Sequence, residues 1–210
     1  MVEYHRHCSQ SRLRGQSGYA PFPHNGRPAA LAPIPTTLAA FLYNWFMPPV
    51  NNVTRLLDAR KIKYVAYETP AEKLGALETA HFLNVPETLV YKTIVVVCVR
   101  PGAKPILAVI PGPAQVDLKL LAAALGEKKV SLPTEREAES LTGLQAGGIS
   151  PLALINKGFQ VLIDAAAQRH AEIHVSGGQR GLNIRLPVSD LAALTHARFA
   201  LVSHSAAPQA

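Results

Sequence analysis

The stretch Leu89-Val90-Tyr91-Lys92-Thr93-Ile94-Val95-Val96-Val97-Cys98-Val99 decides how the rest of the chain is read. It is dominated by Val, Ile, Tyr and Thr, residues that suit a pleated surface packed on both faces. Its one charged residue, Lys92, stands just before the apolar run Ile94–Val97. A lysine entering a core either extends its stem to bring the ammonium to water or is held inside for a purpose. Downstream, Arg100-Pro101-Gly102-Ala103 is a turn signal, followed by the apolar run Ile106–Ile110. The spacing predicts a hairpin of Thr93–Val99 with Ile106–Ile110, ended by Pro111-Gly112-Pro113.

Around this hairpin the sequence alternates short helices and strands. Asn52 is a candidate cap for a helix whose apolar face holds Val53, Leu56 and Leu57. A strand is expected over Tyr64–Tyr67 and a helix over Leu77–Leu83. Asp117 caps Leu118–Leu125, with Gly126 as terminator. Thr134 and Glu137 have capping-box spacing for a helix ending near Leu141. Val161–Asp164 and Glu172–Val175 read as strands. In Leu182–Leu186 the alternation places Leu182, Ile184 and Leu186 inward and Asn183 and Arg185 outward. Ser189 is a candidate cap for a last helix through Leu194, Phe199–Val202 closes the sheet, and fraying is expected after Ser203. Strands outnumber those of a simple βαβ repeat. The fold class expected is therefore α/β: one domain with a mixed, curved sheet flanked by helices.

The chain has 210 residues, 48% of them hydrophobic and 6% aromatic, enough for one aliphatic core and a tail. No apolar run reaches the roughly eighteen residues of a membrane span. Cys8 and Cys98 make no disulfide framework, and a buried free Cys98 fits a reducing, cytoplasmic setting. The His5, His7, Cys8 cluster is a weak metal candidate; no metal site or cofactor is expected. A net charge of +7 favours polyanionic partners without giving specificity.

Residues 1–46 differ from the remainder of the chain. They hold four arginines against the single acid Glu3, and prolines at short intervals. Such a segment cannot offset its ordering entropy. It is expected to be a disordered or mis-annotated extension, with Met47 as the true start; a targeting leader and an RNA-binding arm are the other readings. Residues 47–203 are expected to be the domain and 204–210 a flexible tail.

Two glycine-rich loops carry the possible chemistry. In Thr142–Pro151, Gly147-Gly148-Ile149-Ser150 can present backbone N–H groups to an anion or carbonyl, with the Ser150 hydroxyl beside them; a plain tight turn is the simpler alternative. Ser176–Gly181 reads as a hairpin turn with Arg180 free to meet phosphate. Neither matches a dinucleotide or Walker fingerprint. No nucleophile triad is visible. His174 is expected to face solvent or a cleft, and Asp164 to point into a pocket or cap a turn.

Together VYKT at 90–93, QVDLK at 115–119, TG at 142–143, GGISPL at 147–152, ID at 163–164 and VSGG with RGL at 175–182 resemble, in order, the YbaK/EbsC family of aminoacyl-tRNA deacylases, related to the editing domain of bacterial prolyl-tRNA synthetases. The likeness covers about 50–202. It implies a compact fold on a barrel-like sheet and hydrolysis of the ester joining a wrong amino acid to tRNA, most often cysteine on tRNA(Pro). It maps the essential pocket lysine onto Lys92, with Gly147, Gly148 and Ser150 beside it in the catalytic set. Tyr67, Thr93, Ile149, Asp164, Ser176, Gly177 and Arg180 become the substrate-binding candidates. It further implies aminoacyl-tRNA and prolyl-tRNA synthetase as partners, no cofactor, and cleavage assisted by the substrate's own thiol, which accounts for the missing protein nucleophile. The sequence departs from the family at Thr69–Lys73, where a histidine-aspartate-proline stretch is commoner, and at Ala153 and Ala166, where glycine and proline are usual. A non-catalytic module that binds tRNA or a synthetase is the alternative from another class, and hydrolysis of a small-molecule ester a third.

Overall fold

The hairpin forms as the two apolar runs and the turn between them predict. In the computed structural model, which describes residues 50–100 and 102–205, β2 (Tyr91–Cys98) pairs antiparallel with β3 (Ile106–Pro111), with Lys92 opposite Ile110. These strands are central in a sheet ordered β5 (Val130–Ser131), β2, β3, β6 (Gln160–Asp164), β9 (Arg198–Ala200). The β3–β6 and β6–β9 pairs are parallel and the others antiparallel, so the sheet is mixed. Its two faces bury separate clusters. Tyr91, Val95, Leu107, Val109 and Ile163 pack with Val53 and Leu57 of helix α1 (Asn52–Ala59). Val96, Ile106, Ala108, Ile110 and Leu162 pack with Leu121 and Ala122 of a helix over Leu118–Leu125. Burial on both faces is why this strand tolerates no alternation of polar residues.

A second sheet has the order β1 (Val65–Glu68), β8 (Leu182–Pro187), β7 (Glu172–Ser176), all antiparallel. It is bridged to the first by the parallel pair Val90–His174 and shares a core cluster with it; among the described residues no further β2–β7 pairing follows that bridge. None of the sheets among the described residues closes on itself, so the expected barrel-like sheet is replaced by open sheets that fork at this bridge. A two-stranded pair, β4 (Ala114–Val116) with β10 (Ser203–Ser205), is the third. Its existence corrects the expectation that the chain frays after Ser203; residues 206–210 and the proposed extension 1–46 lie outside the described residues.

Three helix starts follow the side chains that satisfy their free N–H groups. Helices α2 (Ala76–Leu83), α3 (Leu118–Leu125), α4 (Glu135–Thr142) and α5 (Val188–Thr195) complete the set. Asp117 accepts from the Lys119 and Leu120 amides at 2.9 and 3.0 Å, and Thr134 and Glu137 form the predicted reciprocal box. The cap of α1 is Asn51 rather than Asn52, because Thr54 then lies where its hydroxyl can answer the Asn51 amide at 2.9 Å. Ser189 caps nothing. Helix α5 starts at Val188, whose amide is already taken by the Ala171 carbonyl at 3.0 Å.

Candidate functional site

The fork between β2 and β7 opens into a cavity of about 360 Å³. Beyond Val90, the edge of β2 facing away from β3 is paired only at Val97 and Cys98 among the described residues. The cavity wall therefore includes a strand edge with no neighbouring strand. Lys92, Thr93, Gly147, Ile149, Ser176 and Arg180, all expected at the site, line it together.

Lys92 is half-buried, and desolvation pushes its ammonium below the usual lysine range. Among the described residues it has no carboxylate partner; its Nζ donates to the Gly112 carbonyl at 2.8 Å. Gly112 in turn donates its amide to Val90 O at 2.7 Å, and a Cβ there would lie 3.1 Å from that same oxygen. The turn that ends the hairpin is thus folded back on β2 as a dock for the lysine. The Thr93 hydroxyl is buried without a partner among the described residues. So is that of Tyr91, whose pKa is pushed up to about 12 by burial and by the nearby Asp164 charge. Tyr91 is a protonated donor here, not a base.

The two loops interlock. Arg180 Nε donates to the Ala146 carbonyl at 2.8 Å, tying one loop to the other. Gly148 is pressed against the Gln179 and Arg180 backbone, which a Cβ would approach to 3.0 Å. Its amide is donated to Gln145 O at 2.8 Å, inside the loop. Ser150 is fully buried, its Oγ accepting from the Leu152 amide at 3.3 Å. The predicted donor cradle is therefore turned inward at Gly148 and Ser150 and keeps only Gly147 and Ile149 on the cavity wall. Gly177 is likewise buried, donating to Leu182 O at 2.9 Å.

Asp164 does not reach the cavity wall. Buried to 2% exposure, it accepts from the Ala166 amide at 2.9 Å, the Val202 amide at 3.2 Å and Ser203 Oγ at 2.7 Å. It takes the turn-capping role that its sequence position left open. Tyr67 also stands behind the cavity, its ring 5.3 Å from that of His174 and Arg185 stacked on it at 6.0 Å. His174 is buried, not solvent-facing. Desolvation lowers its pKa below 6.5, the Asn183 hydrogen bond opposes that, and Arg185 adds to it.

Sequence reasoning missed Asn183 and Glu72. Asn183, expected to face outward, is 5% exposed and lines the cavity; its Oδ1 meets His174 Nδ1 at 2.9 Å. Glu72 lines the cavity from the connection between β1 and α2. Among the described residues no three His, Cys, Asp or Glu gather as a metal site, and no helix is long and apolar enough to cross a membrane.

Comparison with known proteins adds a lineage to this geometry. The sequence model of the aminoacyl-tRNA editing domain matches residues 69–194. A protein of Enterococcus faecalis named "Putative Cys-tRNA(Pro)/Cys-tRNA(Cys) deacylase EbsC" is 35% identical over 155 residues, covering 73% of this chain and 93% of its own. Two solved structures share the fold at 23% identity. The hypothetical protein APE2540 superposes with a TM-score of 0.67 over 73% of this chain and 100% of its own. A structure described as a "putative trans-editing enzyme for prolyl tRNA synthetase" gives 0.61 over 75% and 100%.

Proposed function

This chain belongs to the aminoacyl-tRNA editing domain family, and we propose that it is a free-standing, metal-independent hydrolase that cleaves the aminoacyl ester of mischarged tRNA in the cytoplasm, with cysteinyl-tRNA(Pro) as first substrate. The activity is assigned to residues 47–203. The observation that carries the reading is the joint lining of one cavity by Lys92 and both glycine loops. Binding alone discriminates poorly between small side chains, so a second hydrolytic sieve has a purpose.

In this mechanism the 3′ end of the tRNA enters along the wall of Lys92 and Arg180, two cations suited to phosphate and sugar oxygens. Lys92 holds the terminal nucleotide or the ester oxygen, fixing the carbonyl for attack. Thr93 and Ser176 add hydroxyls, and Gly147 and Ile149 bring backbone close to the acyl group. Water adds to the carbonyl carbon, the bond to the ribose oxygen breaks, and that oxygen takes a proton as the free amino acid leaves. Polar groups already fixed in the wall stabilise the developing oxyanion without reorganising. Prolyl-tRNA synthetase is the proposed partner that supplies tRNA selectivity.

The test is deacylation of cysteinyl-, alanyl- and prolyl-tRNA(Pro), with and without prolyl-tRNA synthetase. Lys92→Ala is expected to lower turnover by about a hundredfold or more while leaving the thermal unfolding midpoint nearly unchanged. Full activity in that variant would remove Lys92 from the mechanism. Tight tRNA binding with no hydrolysis by the wild type would identify a binding module instead.

A further inference from the structure

The cavity carries charges of both signs, and they are not equivalent. Three cations line it: Lys73, Lys92 and Arg180. Each is already engaged: Lys73 with Glu135, Lys92 with Gly112 O, and Arg180 with Ala146 O. Glu72 is the single acid among the lining residues, and its carboxylate has no partner among the described residues.

Its position is built by the surrounding loops. The Thr69 amide donates to Gly181 O at 3.0 Å, and a Cβ on Gly181 would come within 3.3 Å of Thr69 O and 3.4 Å of Ala71. On the other side, a Cβ on Gly147 would lie 3.5 Å from Lys73 Cγ and 3.7 Å from Leu74 O. Both contacts use glycines with positive φ, 83° and 86°, where a side chain would be strained. The segment 69–75 is therefore seated on both glycine loops, and Lys73–Glu135 anchors it from outside. Glu72 lies on that segment, apart from the strand and the loop that carry Lys92 and Arg180.

We propose that Glu72 binds the α-ammonium of the aminoacyl group, so that the site takes esters with a free α-amino group and discriminates against N-acylated ones. This rests on the deacylase reading above. An aminoacyl-tRNA presents phosphates, a neutral ester and an ammonium. The cationic wall suits the phosphates and repels the ammonium; the unpaired carboxylate is the one lining side chain of opposite charge to it. An N-acyl substrate loses that attraction and gains bulk.

The experiment compares cysteinyl- and alanyl-tRNA(Pro) with their N-acetylated forms, using wild type, Glu72→Gln and Glu72→Asp. Wild type is expected to favour the free amine by about tenfold in kcat/KM, the lower end for a hydrogen bond to a charged group because the rim is solvated. Glu72→Gln is expected to bring the ratio to within about twofold, by raising KM on the free-amine arm alone; Glu72→Asp should restore part of it. A folding defect would depress both arms alike, so an equal loss on both overturns the assignment, as does a wild-type ratio near one. If wild type hydrolyses none of these esters, the deacylase reading itself falls and takes this one with it.

Discussion

The two glycine-rich loops, 142–151 and 176–181, border one cavity and look alike in sequence, yet they do different work. The first brings Ala146, Gly147 and Ile149 to the cavity, while its polar groups at Gly148 and Ser150 are used internally. The second brings Ser176, Gln179 and Arg180, all residues with polar side chains. In both, the glycines that matter most are those that let one segment lie against another. Gly148 lets the loops touch, Gly178 packs on Ala153 and Val53, and Gly181 receives segment 69–71. Glycine in this site is chiefly a packing device, and its free amides are the exception.

That contrast can be broken in graded steps. Gly178→Ala should cost most, about 3 kcal/mol, because its φ is +89° and a Cβ would meet Ala153 at 2.9 Å and Val53 at 3.0 Å. Chemical denaturation would read the loss, and a cost below that of the Gly158 control would show that the α1 contact gives way freely. Gly148→Ala comes next at about 2 kcal/mol, since backbone at 3.0 Å must move. It should also lower deacylation by separating the loops; unchanged stability would mean that they are not in contact. Gly158→Ala is the control. Its φ is +74° and a Cβ would meet nothing within 4 Å, so only the left-handed strain remains, about 1 kcal/mol.

The smallest effect expected is a pH dependence from His174. Its folded pKa is depressed below 6.5, so the unfolded chain binds the proton more readily. The stability it contributes is present above pH 6.5 and lost as pH falls from there through the folded value. His174→Gln, which can keep a donor toward Asn183, should flatten the unfolding curve in that window; an unaltered slope would assign it to other groups.

The elements legible in sequence are those whose signal is local. The hairpin of β2 and β3 declares itself by two apolar runs around a turn, and α3 and α4 by caps whose partners lie two or three residues away. Strands β4 and β10 are invisible because each is only three residues long and its pairing partner lies far along the chain. Asn183 and His174 mislead for a related reason. Each is polar, and each is buried because the neighbouring strand supplies the other. The candidate site is legible as a set of motifs. Which of its members face the cavity depends on how two loops pack, and nothing local in Gly148, Ser150 or Asp164 foretells that.

The lysine held by the hairpin turn has one more consequence. Its ammonium is not waiting empty-handed, since the Gly112 carbonyl already occupies it. That bond takes one of three N–H donors, so an incoming oxygen shares the ammonium with the turn, which fixes where the other two point. The turn therefore acts as a bearing: it aims the ammonium before any visitor arrives, and an oxygen off that line gains little.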